Sequence, residues 1–271
     1  MSTIIQFGKD LVRRFSDHEV AGLAAQLAYF FLLSIFPFMI FLIALMAYLP
    51  ISIEDIVLAM SRYIPSEAMD LLTSNLETKN TGLLSVGLLA TLWSASNGTN
   101  AVMRAFNRAY NVQEDRSFIK SRLIAIVLTV AMFIVILVAL MLPVFGKAIG
   151  VYVFSWFGVS EDFLAIWNAL RWVISSTLFL LVLMSLYILA PNHHVNIRQS
   201  FIGAVFATVT WQAASLGFSF YVNSGVSNYS ATYGSLGAVI ILMIWFYLSG
   251  VVIILGGEIN AMLRERQWFK R

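Results

Sequence analysis

Few side chains in these 271 residues are equipped for chemistry, and most of those that are stand inside apolar runs. Arg171 is the most conspicuous, lying between Trp167 and Trp172 in Phe163–Ala190, a run with no other charge. A guanidinium at the centre of a membrane helix costs about 2.5–3.5 kcal/mol on the insertion scale, so it needs a reason. One reason is recognition of an anion, a phosphate or a carboxylate, which the planar fork of arginine suits. The other is that Arg171 snorkels to the headgroups, with the two tryptophans as interface anchors. A carboxylate partner is not expected, because no Asp or Glu lies deep in another run.

The segment Trp93-Ser-Ala-Ser-Asn-Gly-Thr-Asn100 is dense in polarity for a membrane helix. Ser94, Ser96, Asn97 and Asn100 either face a cavity from a broken helix or bond to neighbouring helices in a tightly packed one. Thr208, Gln212, Ser215 and Ser219 recur at spacings of 4, 3 and 4, which places them on one helical face bordered by Trp211. Such a stripe lines a wet path or zips two helices together. Gln26, Tyr29 and Ser34 add polarity to an early run, and Pro37 predicts a kink. Ser249-Gly250 and Gly256-Gly257 put small residues on one face, as at a close helix contact within a protomer or between two copies in a homo-oligomer. Glu258 follows at the boundary, as a salt bridge, a cap or a proton-coupling group.

Catalytic constellations are missing. The chain has no cysteine and three histidines. His193 and His194 are adjacent, so on a helix they cannot face one metal together, and His18 is isolated between Asp17 and Glu19. There is no His-Glu-x-x-His, Gly-x-Ser-x-Gly or phosphate-binding loop. The sequence therefore calls for no cofactor, no metal and no ATP-driven pumping by this chain alone.

The elements that must position these residues are membrane helices. Hydrophobic residues make up 60% and charged ones 11%, against about 25% charged in soluble domains. Mean hydropathy is +0.84. This excludes an ordinary cytosolic enzyme and a disordered chain, and a net charge of +3 spread over loops makes no nucleic-acid patch. A bilayer crossing takes roughly 20 apolar residues. Six such runs occur: Leu27–Leu49, Gly82–Met103, Leu123–Gly146, Phe163–Ala190, Phe201–Val222 and Ser235–Gly257. They are continuously apolar, unlike barrel strands. The reading is an all-α, polytopic membrane helix bundle, a single domain over residues 1–271. An interfacial amphipathic helix is expected over about 4–25, with Asp17 or Ser16 as the cap of its last part. An exterior helical cap is expected over about 50–81. Thirteen Lys and Arg fall on the side of the two termini and three on the other, which puts both termini in the cytoplasm.

Several motifs resemble one known family. They are Ala24-Ala-Gln-Leu-Ala-Tyr-Phe30 with Leu33-Ser-Ile-Phe-Pro37, Leu92-Trp-Ser-Ala-Ser96, Asn107-Arg-Ala-Tyr110 and Pro191-Asn192. Tyr229-Ser-Ala-Thr-Tyr-Gly-Ser-Leu-Gly237 and Gly256-Gly-Glu-Ile-Asn-Ala261 complete the set. Together they resemble the YihY/BrkB family of bacterial inner-membrane proteins over nearly the whole chain. The resemblance implies a six-helix protein of the bacterial plasma membrane and no settled activity. Some members carry a ribonuclease name, which nothing in these residues supports.

Three functions fit. The first is a transporter or flippase for a lipid or amphipathic anion, with Arg171 and the polar faces of spans two and five, and membrane lipids as partners. The second is a scaffold or envelope-assembly partner that transports nothing. The third is a membrane-bound lipid hydrolase.

Overall fold

The computed structural model describes residues 2–46, 81–134, 161–223 and 236–268, and all regular structure there is helical. In chain order the helices are α1 (Ser2–Asp17), α2 (Val20–Met46), α3 (Thr81–Ala109), α4 (118–134), α5 (Glu161–Leu189), α6 (Ile197–Asn223) and α7 (Leu236–Trp268). The expected cap over 50–80, residues 135–146 of span three and most of the Tyr229–Gly237 motif lie outside the described residues. Val20–Phe41, Ile197–Val222 and Leu236–Glu265 are each long and apolar enough to cross a bilayer, and Val173–Leu189 is a shorter apolar stretch. The architecture is a membrane helical bundle.

In the bundle α3 lies along α2, while α7 packs on both α2 and α6, and α6 on α5. The core combines Leu27, Phe106, Leu183, Tyr187 and Ile254 with Ala24, Ala105, Ala125, Ala204 and Ala207. Small residues matter here because lipid is as apolar as leucine, so helices associate through close packing and not through escape from solvent. The tightest approach is at the glycine pair of α7. A Cβ at Gly256 would strike the Tyr187 hydroxyl, and one at Gly257 the Phe106 ring. Tyr187 donates its hydroxyl to the Ile253 carbonyl at 2.8 Å, and the Asn260 side-chain oxygen accepts the Gly203 N–H at 2.8 Å. Across α2, Gly250 lies against Ala24. The small-residue face of span six therefore packs inside one protomer.

The interfacial helix expected over 4–25 is two pieces. α1 stops at Asp17, and Glu19 takes a positive φ of 54° that turns the chain. The Glu19 carbonyl then accepts the Leu23 N–H at 3.0 Å, so residues 20–25 belong to α2. Asp17 is engaged by Arg13 at 3.2 Å. The break is held by a fully buried carboxylate. Glu258 lies 2.6 Å from His18 Nδ1 and 3.5 Å from Arg14. Arg14 also donates to the Ala109 carbonyl at 3.3 Å and pairs with Glu265. One turn outside, Arg108 pairs with Glu19 at 2.8 Å. This clasp explains why α7 runs past the expected end at Gly257 and α3 past Met103, since both helices supply its parts.

A second clasp joins two loops. Asn107 donates to Glu114 at 2.7 Å and accepts the Asn192 N–H at 2.6 Å, and Asn192 donates to the Gln113 carbonyl at 3.0 Å. Arg116 donates to the carbonyls of Ala190 (3.1 Å) and Pro191, groups that the end of α5 leaves without helical partners.

Two outcomes follow. Gly256→Leu forces α7 off Tyr187 and is expected to cost about 1–3 kcal/mol, read as earlier unfolding in detergent by circular dichroism. Arg14→Ala leaves Glu258 with His18 as its remaining partner and is expected to cost about 3 kcal/mol, with α1 newly open to protease. Glu258→Gln keeps the shape and one hydrogen bond and should be milder. An Arg14→Ala protein with unchanged melting and digestion would remove the clasp from the stability of the bundle.

Candidate functional site

The dense polar segment of span two lies on an unbroken helix, so the broken-helix alternative is not realised. The hydroxyls of Thr91, Ser96 and Thr99 are satisfied locally or by a neighbour. Thr91 donates to the Gly87 carbonyl at 2.6 Å and Ser96 to the Trp93 carbonyl at 2.9 Å. Thr99 meets Thr129 of α4 at 2.7 Å, fully buried. Ser94 and Asn100 are half-buried.

Asn97 has a different partner. Its side-chain oxygen accepts from Arg122 of α4 at 2.7 Å, and another Arg122 nitrogen donates to the Trp93 carbonyl at 3.2 Å. The guanidinium carbon sits 4.0 Å from the centroid of the Trp93 ring, a cation–π contact. The Arg122 Nε is buried without a hydrogen-bond partner. Among the described residues no carboxylate pairs with Arg122. This is the residue that sequence reasoning missed, because Arg122 directly precedes an apolar run and reads as a loop charge. Nothing local ties it to positions 25 and 29 residues away.

Trp93, Asn97, Asn100, Arg104 and Arg108 recur at helical spacing and share one face of α3. Trp93 is 61% exposed, Asn97 and Asn100 are half-buried, and Arg104 and Arg108 are exposed. Arg104 donates to Gln26 of α2 at 3.0 Å, one turn from the exposed Tyr29. In the other direction the same face continues through Leu89 and Val86, both 66% exposed. It is cationic at one end, carries amides in the middle and is apolar at the other end.

The stripe on α6 is bonded elsewhere. Trp211 donates to Ser249 of α7 at 3.0 Å and its ring lies 4.6 Å from that of Phe179. Gln212 donates to Ser176 of α5 at 2.9 Å. Thr208 is buried with no partner for its hydroxyl, and Ser215 is half-buried. These groups join α6 to α5 and α7 and do not meet the α3 face. Arg171 falls on α5, and its side chain is outside the described residues. Glu258 sits in the α1 clasp. Beside it burial pushes the Tyr110 phenol well above its ordinary value, with Arg264 over the ring opposing. Burial, helped by Arg264 and His194, lowers the pKa of His193. Among the described residues no three His, Asp or Glu converge as metal ligands.

Comparison with known proteins agrees with this architecture. The sequence model of the family described as Virulence factor BrkB matches residues 11–270. The ribonuclease-like protein YfkH of Bacillus subtilis (strain 168) is 52% identical over 267 residues, covering 97% of each chain. A UPF0761 membrane protein of Alteromonas mediterranea is 27% identical over 264 residues, 94% of this chain and 86% of its own. One from Vibrio campbellii is 30% identical over 279 residues, 97% of this chain and 83% of its own. No solved structure matches. Apolar helices of crossing length and a match spanning nearly the whole sequence make this chain a member of the BrkB family of multi-pass bacterial membrane proteins.

Proposed function

We propose that the chain is a six-span transporter or flippase that moves a lipid or an amphipathic anion through the inner membrane, with both termini in the cytoplasm. The observation that carries this reading is Arg122. It is a cation held on Asn97 and Trp93, inside the length of α3, and among the described residues no carboxylate pairs with it. A half-buried guanidinium with one nitrogen left unpaired is costly, and Thr99 and Thr129 already join α3 to α4 without it. A bound anion gives it a counter-charge.

The count of six rests on the apolar runs, with α3 among the spans despite its polarity. Much of its inner half is buried: Ala95, Ser96, Gly98, Thr99, Ala101, Val102, Met103, Ala105 and Phe106. A polar helix covered by its neighbours does not meet lipid on those sides. The Lys and Arg asymmetry between loops supports cytoplasmic termini. The ribonuclease-like name of the Bacillus subtilis relative belongs to that protein. Among the described residues the His–carboxylate pair, His18 with Glu258, is tied into the α1 clasp with Arg14, and we read the chain as a non-enzyme. Arg171, on α5, is retained as a second candidate cation.

Reconstituted vesicles with a fluorescent phospholipid test this directly. Wild-type protein should speed exchange between leaflets, and Arg122→Ala should slow it by about tenfold or more, the effect of losing ~1.4 kcal/mol of binding or barrier stabilisation. Arg171→Ala in the same assay separates a substrate contact from an interface anchor. Wild-type protein that moves no lipid or amphipathic anion would overturn the transport reading.

A further inference from the structure

The geometry points to the exposed face of α3 as a binding site for one anionic phospholipid of the cytoplasmic leaflet, its phosphate between Arg104 and Arg122 and its chains along Trp93, Leu89 and Val86. The inference rests on the transport reading for its role and on separate observations for its chemistry.

The order of residues along the face is the order of groups in a lipid. Arg108 and Arg104 stand at the end that the loop charges place in the cytoplasm. Asn100 and Asn97 follow, then Trp93, Leu89 and Val86. Arg104 and Asn97 are seven residues apart, which is about 10 Å along the helix at 1.5 Å per residue. Arg122 is tied to Asn97, so its guanidinium lies about that much deeper than the helix position of Arg104. A headgroup held between the two engages cations at two levels of the helix, which distinguishes a site from the general lipid shell. From Trp93 to Val86 the face offers another 10 Å or so of exposed apolar surface for acyl chains.

Charge selects the headgroup. Arg104 has an amide partner in Gln26, and Arg122 has an amide and a carbonyl. Among the described residues no carboxylate pairs with Arg104 or Arg122, and Glu19 is engaged by Arg108. The face is thus net positive, favouring a singly negative phosphodiester such as phosphatidylglycerol. A choline headgroup brings a cation that finds no anion here. Arginine suits the task, because its fork can give a phosphate two parallel hydrogen bonds while the ring of Trp93 holds the plane of the other guanidinium.

Native mass spectrometry of the full chain tests this with phosphatidylglycerol, phosphatidylcholine and free glycerol 3-phosphate as probes. Wild type should retain one phosphatidylglycerol at least tenfold better than phosphatidylcholine. Arg104→Ala and Arg122→Ala should each erase that preference, and Arg122→Lys should restore part of it. Arg13→Ala, which removes an exposed charge from α1, should leave the preference intact and controls for net charge. Circular dichroism checks folding. If Arg122→Ala does not fold, Arg104→Ala decides alone, since Arg104 is exposed. Equal retention of the two lipids, a preference that survives Arg104→Ala, or equal capture of glycerol 3-phosphate would each overturn the site. Selective retention without leaflet exchange would keep the site and retire transport. Exchange that persists in a variant with no lipid preference would do the reverse.

Discussion

Glu258 is an ionisable group with no exposed surface, and one end of the bundle is arranged around it. Burying a lone carboxylate is prohibitive, so the chain must bring cations to it. Its partners, the Arg14 guanidinium and the His18 imidazole, lie more than two hundred residues away in sequence, on α1 and on the turn after it. Satisfying them fixes the break at Glu19, the docking of α1 on α7 and the junction with the end of α3 through the Ala109 carbonyl. A pair of this kind adds little net stability compared with an apolar packing of the same shape. It does specify one arrangement, because most other arrangements leave a charge unpaired.

The same constraint governs α3. Lipid offers its hydroxyls and amides no hydrogen bonds, so each must find one within the protein. Thr91 and Ser96 turn back onto their own helix, which needs no neighbour. Thr99 needs Thr129, and so sets the approach of α4. The close approach of α7 depends on Gly256 and Gly257, which let Tyr187 and Phe106 lie against its backbone. Polar satisfaction and small-residue packing thus meet at the same inner half of the bundle, leaving the outer surfaces of α2, α4 and α6 to lipid.

Much of this was legible in the residues. The small face of α7 and the zipping groups Trp211 and Gln212 announce themselves by periodicity, because a helix repeats its neighbours every three or four residues. Periodicity leaves open which partner a stripe will meet. The segment Ser94–Asn100 allowed a broken helix as easily as a packed one until Thr129 and Arg122 were placed beside it. Helix ends were legible only to within several residues. The boundary at Asp17 depends on Glu258, and the extension of α7 past Gly257 depends on α1, both contacts across the whole sequence. Asn107 and Pro191-Asn192 stand out as separate motifs, and only the fold shows that one receives the backbone N–H of the other.

The two half-buried arginine clusters invite a comparison that bears on function. Arg14 is surrounded by two carboxylates and a carbonyl, so its charge is answered inside the protein. Arg122 has an amide, a carbonyl and a ring, all of them neutral. Dipoles orient a guanidinium and soften its desolvation without cancelling its charge. Evolution of a purely structural contact between α3 and α4 has cheaper solutions, one of which is already present in the Thr99–Thr129 pair. A cation oriented by neutral partners among the described residues, at the point along α3 where its exposed face changes from polar to apolar, suits an anion with a hydrocarbon tail. On the transport reading proposed above, the exposed face of α3 is where such an anion would bind.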